Sequence, residues 1–322
     1  MTAAYALFGH RIICPCVLWG LASADRLNAD APSLTLSLDD SYAASAEELG
    51  VASVVYQTTA GEEGRLSLQR QGADGFSVFI HEAGSARARI DHSLAAGSVT
   101  IHEDGPIDPI QVTSFLVSPF MPLRLRTLMQ FFPLHAAVIG IGDSAVAICG
   151  PSGAGKTTLA LHLREQSHAI VADDLAAIDP ATQQVHHGAT FCRIDPKHPA
   201  VRKASGPRRT NTRVPKHFLD TSNHAFWSNP RALPLTAIFM LGSSDDGQIT
   251  AERLAEPMAG LALSRNLSGE MFAPSLPARQ AGLAAALDMA RRIPVYALRR
   301  PRGLEHLAAT ADLIRDIAGA RP

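Results

Sequence analysis

Apolar and polar residues alternate in short runs through the first third of the chain, then give way to longer apolar runs and helix-period segments. The runs at residues 33–38 (SLTLSL), 52–57 (ASVVYQ), 65–69 (RLSLQ), 75–80 (GFSVFI), 86–91 (ARARID) and 98–102 (SVTIH) have the length and period of strands. Turn residues separate them, which predicts a mostly antiparallel, β-rich N-terminal unit. No catalytic constellation is visible in it, so recognition or architecture is its expected role. Pro106, Pro109, Pro119 and Pro122 flank Phe115-Leu116-Val117 and lead to a helix predicted over residues 123–132. A boundary at residues 105–122 divides the chain into units 1–118 and 119–322.

The second unit reads as α/β. AVAIC at 145–149 is a buried strand, TLALHLRE at 158–165 a helix, and AIVA at 169–172 a second short strand. A strand at 235–241, a helix over 281–292, a strand at 295–298 and an amphipathic helix over 304–318 complete the expected order. Neither an internal repeat nor a low-complexity tract appears.

Composition changes this picture little but narrows the partners. A chain of 322 residues that is 46% hydrophobic has enough apolar side chain for a full core. Lys and Arg number 29 against 30 Asp and Glu, so no global field draws the protein to nucleic acid or to a membrane. Residues 12–24 (IICPCVLWGLASA) resemble the apolar part of a secretion signal, but Pro15 interrupts the run and Arg11 alone precedes it. No run reaches the 18 or so apolar residues of a membrane span. Cys14, Cys16, Cys149 and Cys192 form no disulfide framework and are expected as reduced thiols; Cys14 and Cys16 alone make an incomplete metal site.

The chemistry enters between the first two α/β strands. Gly150-Pro151-Ser152-Gly153-Ala154-Gly155-Lys156-Thr157 fits G-x-x-x-x-G-K-[ST], the phosphate-binding loop. Glycines let backbone N–H groups converge on phosphate oxygens, and the helix that follows offers its positive end. Lys156 is expected on the β/γ-phosphates and the Thr157 hydroxyl on Mg²⁺, with Ser152, Ala154 and Thr158 completing the cradle. A nucleotide-handling protein follows, with ATP placing it in the cytoplasm.

Sixteen residues beyond Lys156, the strand at 169–172 runs into Asp173-Asp174. Strand, loop, helix and acidic strand follow without interruption, so the acid pair should emerge beside the phosphate loop. Adjacent carboxylates there can divide labour: one serves the metal and the other accepts a proton from an incoming hydroxyl. An Asp pair also serves ordinary turns, the structural alternative at this point.

Read as one stretch, residues 134–178 (LHAAVIGIGDSAVAICGPSGAGKTTLALHLREQSHAIVADDLAAI) resemble the core of the HPr kinase/phosphorylase family. The pattern is a His opening a glycine-containing hairpin, then the loop, a Leu/Ala-rich helix and H-x-[IL]-V-A-D-D. The wider arrangement is similar to HPr kinase-like serine kinases of lasso-peptide biosynthesis. That resemblance implies a P-loop kinase domain of the HPr kinase/PEP carboxykinase type, with ATP and Mg²⁺ as cofactors. It further implies a serine acceptor on a peptide or small protein, a lasso-like precursor being favoured, and a possible homo-oligomer. Position by position, it implies Asp173 as general base, Asp174 as the metal-side carboxylate, His135 near the phosphates and Arg265 steadying the transferring phosphoryl group.

Departures from the family pattern bear on the metal. Where the family continues with a Glu-Ile-Arg-Gly-like segment, this chain has Val185-His186-His187-Gly188, without a carboxylate. The two histidines are expected at the surface, on opposite faces of a strand. Arg202, Lys203, Arg208, Arg209, Arg213 and Lys216 lie in a stretch free of acids, which reads either as a solvated loop or as an anion-binding lid. Two other functions share these motifs: a kinase for free serine or a similar small hydroxyl compound, and an ATP-binding sensor without transfer.

Overall fold

A computed structural model describes residues 2–40, 52–57, 63–70, 75–82, 85–103, 108–128, 131–195, 208–210, 217–269 and 276–319. Most of the basic stretch at 202–216 lies outside the described residues. The N-terminal part is a nine-stranded sheet. Its strands are β1 (Ala3–Leu7), β2 (His10–Cys14), β3 (Ala22–Ser23), β4 (Ser33–Asp39), β5 (Ala52–Gln57), β6 (Glu63–Arg70), β7 (Gly75–Glu82), β8 (Ser85–Ser93) and β9 (Ser98–Glu103), in the order β3-β1-β2-β4-β9-β8-β7-β6-β5. Hairpins make most junctions antiparallel, but β4 pairs in parallel with both β2 and β9. Alternation explains the orientation of β4: Leu34 and Leu36 are buried, whereas Ser33, Thr35 and Ser37 face out.

Two short helices follow. In α1 (Pro109–Phe115), the Asp108 carboxylate accepts from the Ile110 N–H and Pro109 fills the first turn, where its missing donor costs nothing. α2 (Met121–Leu128) ends earlier than the helix expected over 123–132, and residues 132–134 are a strand instead. Pro133 accounts for the difference. It lacks the N–H a helix needs there and biases Phe132 toward extended backbone.

The remaining strands are β10 (Phe132–Leu134), β11 (Ala136–Ile141), β12 (Ser144–Cys149), β13 (Ala169–Ala172), β14 (Ala176–Ile178), β15 (Gln184–His186), β16 (Phe191–Ile194), β17 (Arg208–Thr210), β18 (His217–Asp220), β19 (Leu233–Ser243), β20 (Thr250–Arg253) and β21 (Val295–Arg300). Helices α3 (Lys156–Glu165), α4 (Glu256–Ser264), α5 (Leu276–Arg292) and α6 (Leu307–Gly319) alternate with them. The second large sheet runs β10-β14-β15-β19-β12-β11-β13, with β21 on β19 and β20 on β21, while β16-β18-β17 form a small sheet. The molecule is therefore mixed α/β and rich in sheet.

Both faces of the second sheet are covered, which is why β11 and β12 read as unbroken apolar runs. Ala137, Ile139, Val146 and Ile148 pack under Leu159, Leu163, Leu307 and Ile314 of α3 and α6. Ala136, Val138, Ala145 and Ala147 face the other way, into a core shared with Leu7, Phe8, Ile12 and Leu34 of the N-terminal sheet and with Phe120 and Met121. Among the described residues no helix is long and apolar enough to cross a membrane.

Candidate functional site

Topology brings the candidate residues to one sheet edge. β12 and β13 are both antiparallel to β11 between them, so they run parallel to each other and their carboxyl ends share that edge. The loop at Gly150 leaves one end and Asp173 the other. The start of β11 lies between them, Ala136 opposite Cys149 and Val138 opposite Ala172, and that places His135 there. On the far side, β19 and β21 run parallel to β12 and deliver Leu241 and Arg300 to the same edge. In open α/β sheets, the carboxyl edge is where ligands sit.

The loop has the backbone a phosphate cradle requires. Gly150, Gly153 and Gly155 adopt φ of 147°, 80° and 94°, conformations that side chains with a Cβ resist. At Gly150 a Cβ would also lie 2.7 Å from the Leu241 carbonyl oxygen. Gly155 precedes α3 without a side-chain cap, so the first N–H groups of the helix remain directed at the loop. Lys156 is buried, and its ammonium donates to the Gly150 and Pro151 carbonyls at 2.8 and 3.2 Å. This concentrates positive charge in the cradle.

The acid pair meets the loop through Thr157. Its hydroxyl donates to the Asp173 carboxylate, 3.1 Å to Oδ1 and 3.4 Å to Oδ2. Burial raises the proton affinity of Asp173 above the ordinary carboxylate value, opposed by the Thr157 hydrogen bond and by the charges of Arg193 and Lys156. Asp174 adopts a φ of 73° and pairs with Arg193. His135 Nδ1 lies 2.9 Å from the Asp174 carbonyl oxygen and 3.4 Å from its Oδ1. A carbonyl only accepts, so Nδ1 carries the hydrogen.

Arg265 reaches the site through a backbone return. It caps α4, and the chain after it crosses β10: the His135 N–H donates to the Asn266 carbonyl, Leu267 bridges Leu134, and the Ser268 N–H donates to Pro133. Arg265 thereby lines a cavity of about 490 Å³ together with His135, Asp174, Gly150 and Ser152. A second cavity, about 460 Å³, lies along the opposite flank of the loop and is lined by Gly153, Ala154, Gly155 and Thr158 with Arg300 and Leu304.

ATP and Mg²⁺ fit what is present. The left-handed glycines and the buried ammonium suit phosphate, and the Thr157 hydroxyl beside Asp173 suits a hard cation that keeps oxygen ligands. Among the described residues no three His, Cys, Asp or Glu converge as a metal cage. Magnesium would depend on Thr157, the acid pair and phosphate oxygens.

The histidines expected at the surface are not there. His187 is 3% exposed against the Trp227 ring, and burial lowers its pKa to about 4; His186 is half-buried against Phe131. β15 lies between β14 and β19 within the sheet, and His187 follows it directly. Cys14 and Cys16 bring their sulfurs to 3.0 Å, both free, and Cys149 and Cys192 are buried thiols. Sequence reasoning missed Arg193 and Arg300. The available signal was a single cation within the apolar run FCRI, and a cation closing the strand VYALRR.

No family model matches the chain. Over 75 residues it is 41% identical to the HPr kinase/phosphorylase of Treponema pallidum subsp. pallidum, and equally to that of Treponema pallidum (strain Nichols). The match covers 22% of this chain and 23% of either relative, so the chain spans about a quarter of the length of the proteins it matches. One segment of this mixed α/β protein is thus similar to a kinase/phosphorylase.

Proposed function

We propose that the protein is an ATP- and Mg²⁺-dependent kinase that transfers the γ-phosphoryl group to a serine hydroxyl of a peptide or small protein, a lasso-like precursor being the favoured acceptor. The observation that carries this reading is the contact between the Thr157 hydroxyl and the Asp173 carboxylate, which ties the acid pair to the phosphate loop. A phosphate-binding protein without transfer has no need of two carboxylates at that place.

In the reaction the serine oxygen forms a bond to the γ-phosphorus as the bond from phosphorus to the β,γ-bridging oxygen breaks. The serine proton goes to a carboxylate, and ADP leaves. Asp173 is the assigned base because its raised proton affinity suits a proton acceptor, whereas Asp174, paired with Arg193, is assigned to the metal side. Lys156 and Arg265 flank the path of the phosphoryl group and oppose its developing charge. The reverse division of the two acids draws on the cavity, since Asp174 lines it beside Arg265.

Single-turnover transfer to serine peptides tests both levels. Asp173→Asn is expected to lower transfer at least a thousandfold with ADP binding intact, and Asp174→Asn to raise the Mg²⁺ requirement. Interchanged phenotypes would exchange the two roles; full transfer by both variants would remove the kinase reading. A small-molecule acceptor such as free serine also fits a cavity of about 490 Å³. Labelling of free serine with no peptide labelled would favour that acceptor.

A further inference from the structure

Arg300 is a buried cation with no paired carboxylate among the described residues. It closes β21 in register with Ser243 of β19 and is 8% exposed. Nη1 donates to the Pro301 and Gly303 carbonyls at 3.2 and 3.0 Å, and Nε is buried without a partner. Nη2 points at the phosphate loop and lies 2.7 Å from the place a Cβ on Gly155 would occupy. A guanidinium stays charged at neutral pH, and holding one out of water without an anion is costly. Such an arrangement is expected where an anion binds.

The two cavities give that anion a polarity. Pro151 and Ser152 line both, so the loop is the wall they share. The acid pair and Arg265 mark the flank where the terminal phosphoryl group reacts. Arg300 stands on the other flank with Gly153, Ala154 and Thr158, and Leu304 presents an exposed apolar side chain beside it. A phosphate chain laid along the loop must therefore enter the second cavity with its nucleoside end.

We propose that Arg300 receives the α-phosphate of a nucleoside di- or triphosphate, and that the turn from Arg300 to Leu304 seats its nucleoside. This rests on the kinase reading for the direction of the phosphate chain. Two carbonyl bonds hold the guanidinium plane fixed, leaving Nη2 for the ligand, so the contact is preorganised. Lysine would not reproduce it, because an ammonium cannot span the two carbonyls and the phosphate in one plane.

Isothermal titration with ADP and with inorganic pyrophosphate, without any acceptor, tests the assignment. Wild-type protein should bind ADP, and Lys156→Ala should abolish that binding; failure of both would count against the phosphate-loop reading itself. Arg300→Gln is expected to weaken ADP at least tenfold and to flatten the salt dependence of binding, with Arg300→Lys recovering little. Leu304→Ala, at an exposed position, should weaken ADP severalfold and leave pyrophosphate unchanged. Thermal melting without nucleotide separates folding from binding: Arg300→Gln should melt no lower than wild type, since it removes an uncompensated charge. ADP affinity within twofold of wild type in both Arg300→Gln and Leu304→Ala would overturn the proposal, with the kinase reading left standing.

Discussion

Asp173 shows a conflict between stability and chemistry within a single side chain. Its folded-state pKa is raised by burial, so ionising this carboxylate costs the folded protein more than it costs the unfolded chain. By linkage, the penalty is absent below the unfolded value and is felt in full once pH exceeds the folded value. An amide of the same shape removes the penalty. Asp173→Asn is therefore expected to melt at a higher temperature than wild type near pH 7.5 while losing transfer, a trade common at sites shaped for reactivity. Calorimetry of the two proteins without nucleotide decides it, and a lower melting temperature for the variant would show that the ionised form is fully compensated. Arg193, which the sequence did not single out, bears on the outcome because its charge reaches Asp173 while it pairs with Asp174.

At the scale of elements, the loop depends on backbone shape as much as on side chains. Gly150 combines a φ of 147° with a Leu241 carbonyl oxygen 2.7 Å from any Cβ, and that oxygen belongs to β19, the sheet's parallel neighbour to β12. Gly150→Ala is expected to cost roughly 1–3 kcal/mol in backbone strain and to weaken ADP at least tenfold by tilting the first N–H groups of the cradle. Denaturant titration and ADP titration read the two effects separately. Elements of this kind were legible in the sequence because each carries its own signal: a glycine pattern, an apolar strand, and a helix of Leu and Ala. The short strands β10, β14 and β15 were not, since three residues hold no period, and their places come from partners elsewhere in the chain. The approach of Arg265 was equally hidden. It depends on residues 266–268 hydrogen bonding across to β10, a contact between segments more than 130 positions apart.

Across the whole molecule, the N-terminal sheet and the second sheet meet in one hydrophobic cluster, and neutral histidines sit at the joins. The turn after β1 inserts Phe8 against Gly188, whose N–H donates to Val171 two residues before Asp173. Next to that turn, His10 packs against Phe131; His92 of β8 packs against Phe120 and accepts from Arg124; His187 packs against Trp227. Burial lowers each of these three imidazoles from 6.5 to about 4. Between those values the unfolded chain binds protons that the folded protein refuses, so stability is complete above about 6.5 and declines as pH falls toward about 4. Asp173 works against this trend, because its folded state takes up a proton first, but it is one group against three. Denaturation midpoints are therefore expected to fall between pH 7.5 and pH 5. His92→Gln should reduce that fall, since a neutral side chain at the same join has no proton to gain. The Arg124 guanidinium makes His92 the informative position: it donates to Nε2 at 2.6 Å, and protonation there would set two cations in contact. A flat midpoint across this range would mean that the joins open to water, and that the histidine rings titrate without strain on the interface between the sheets.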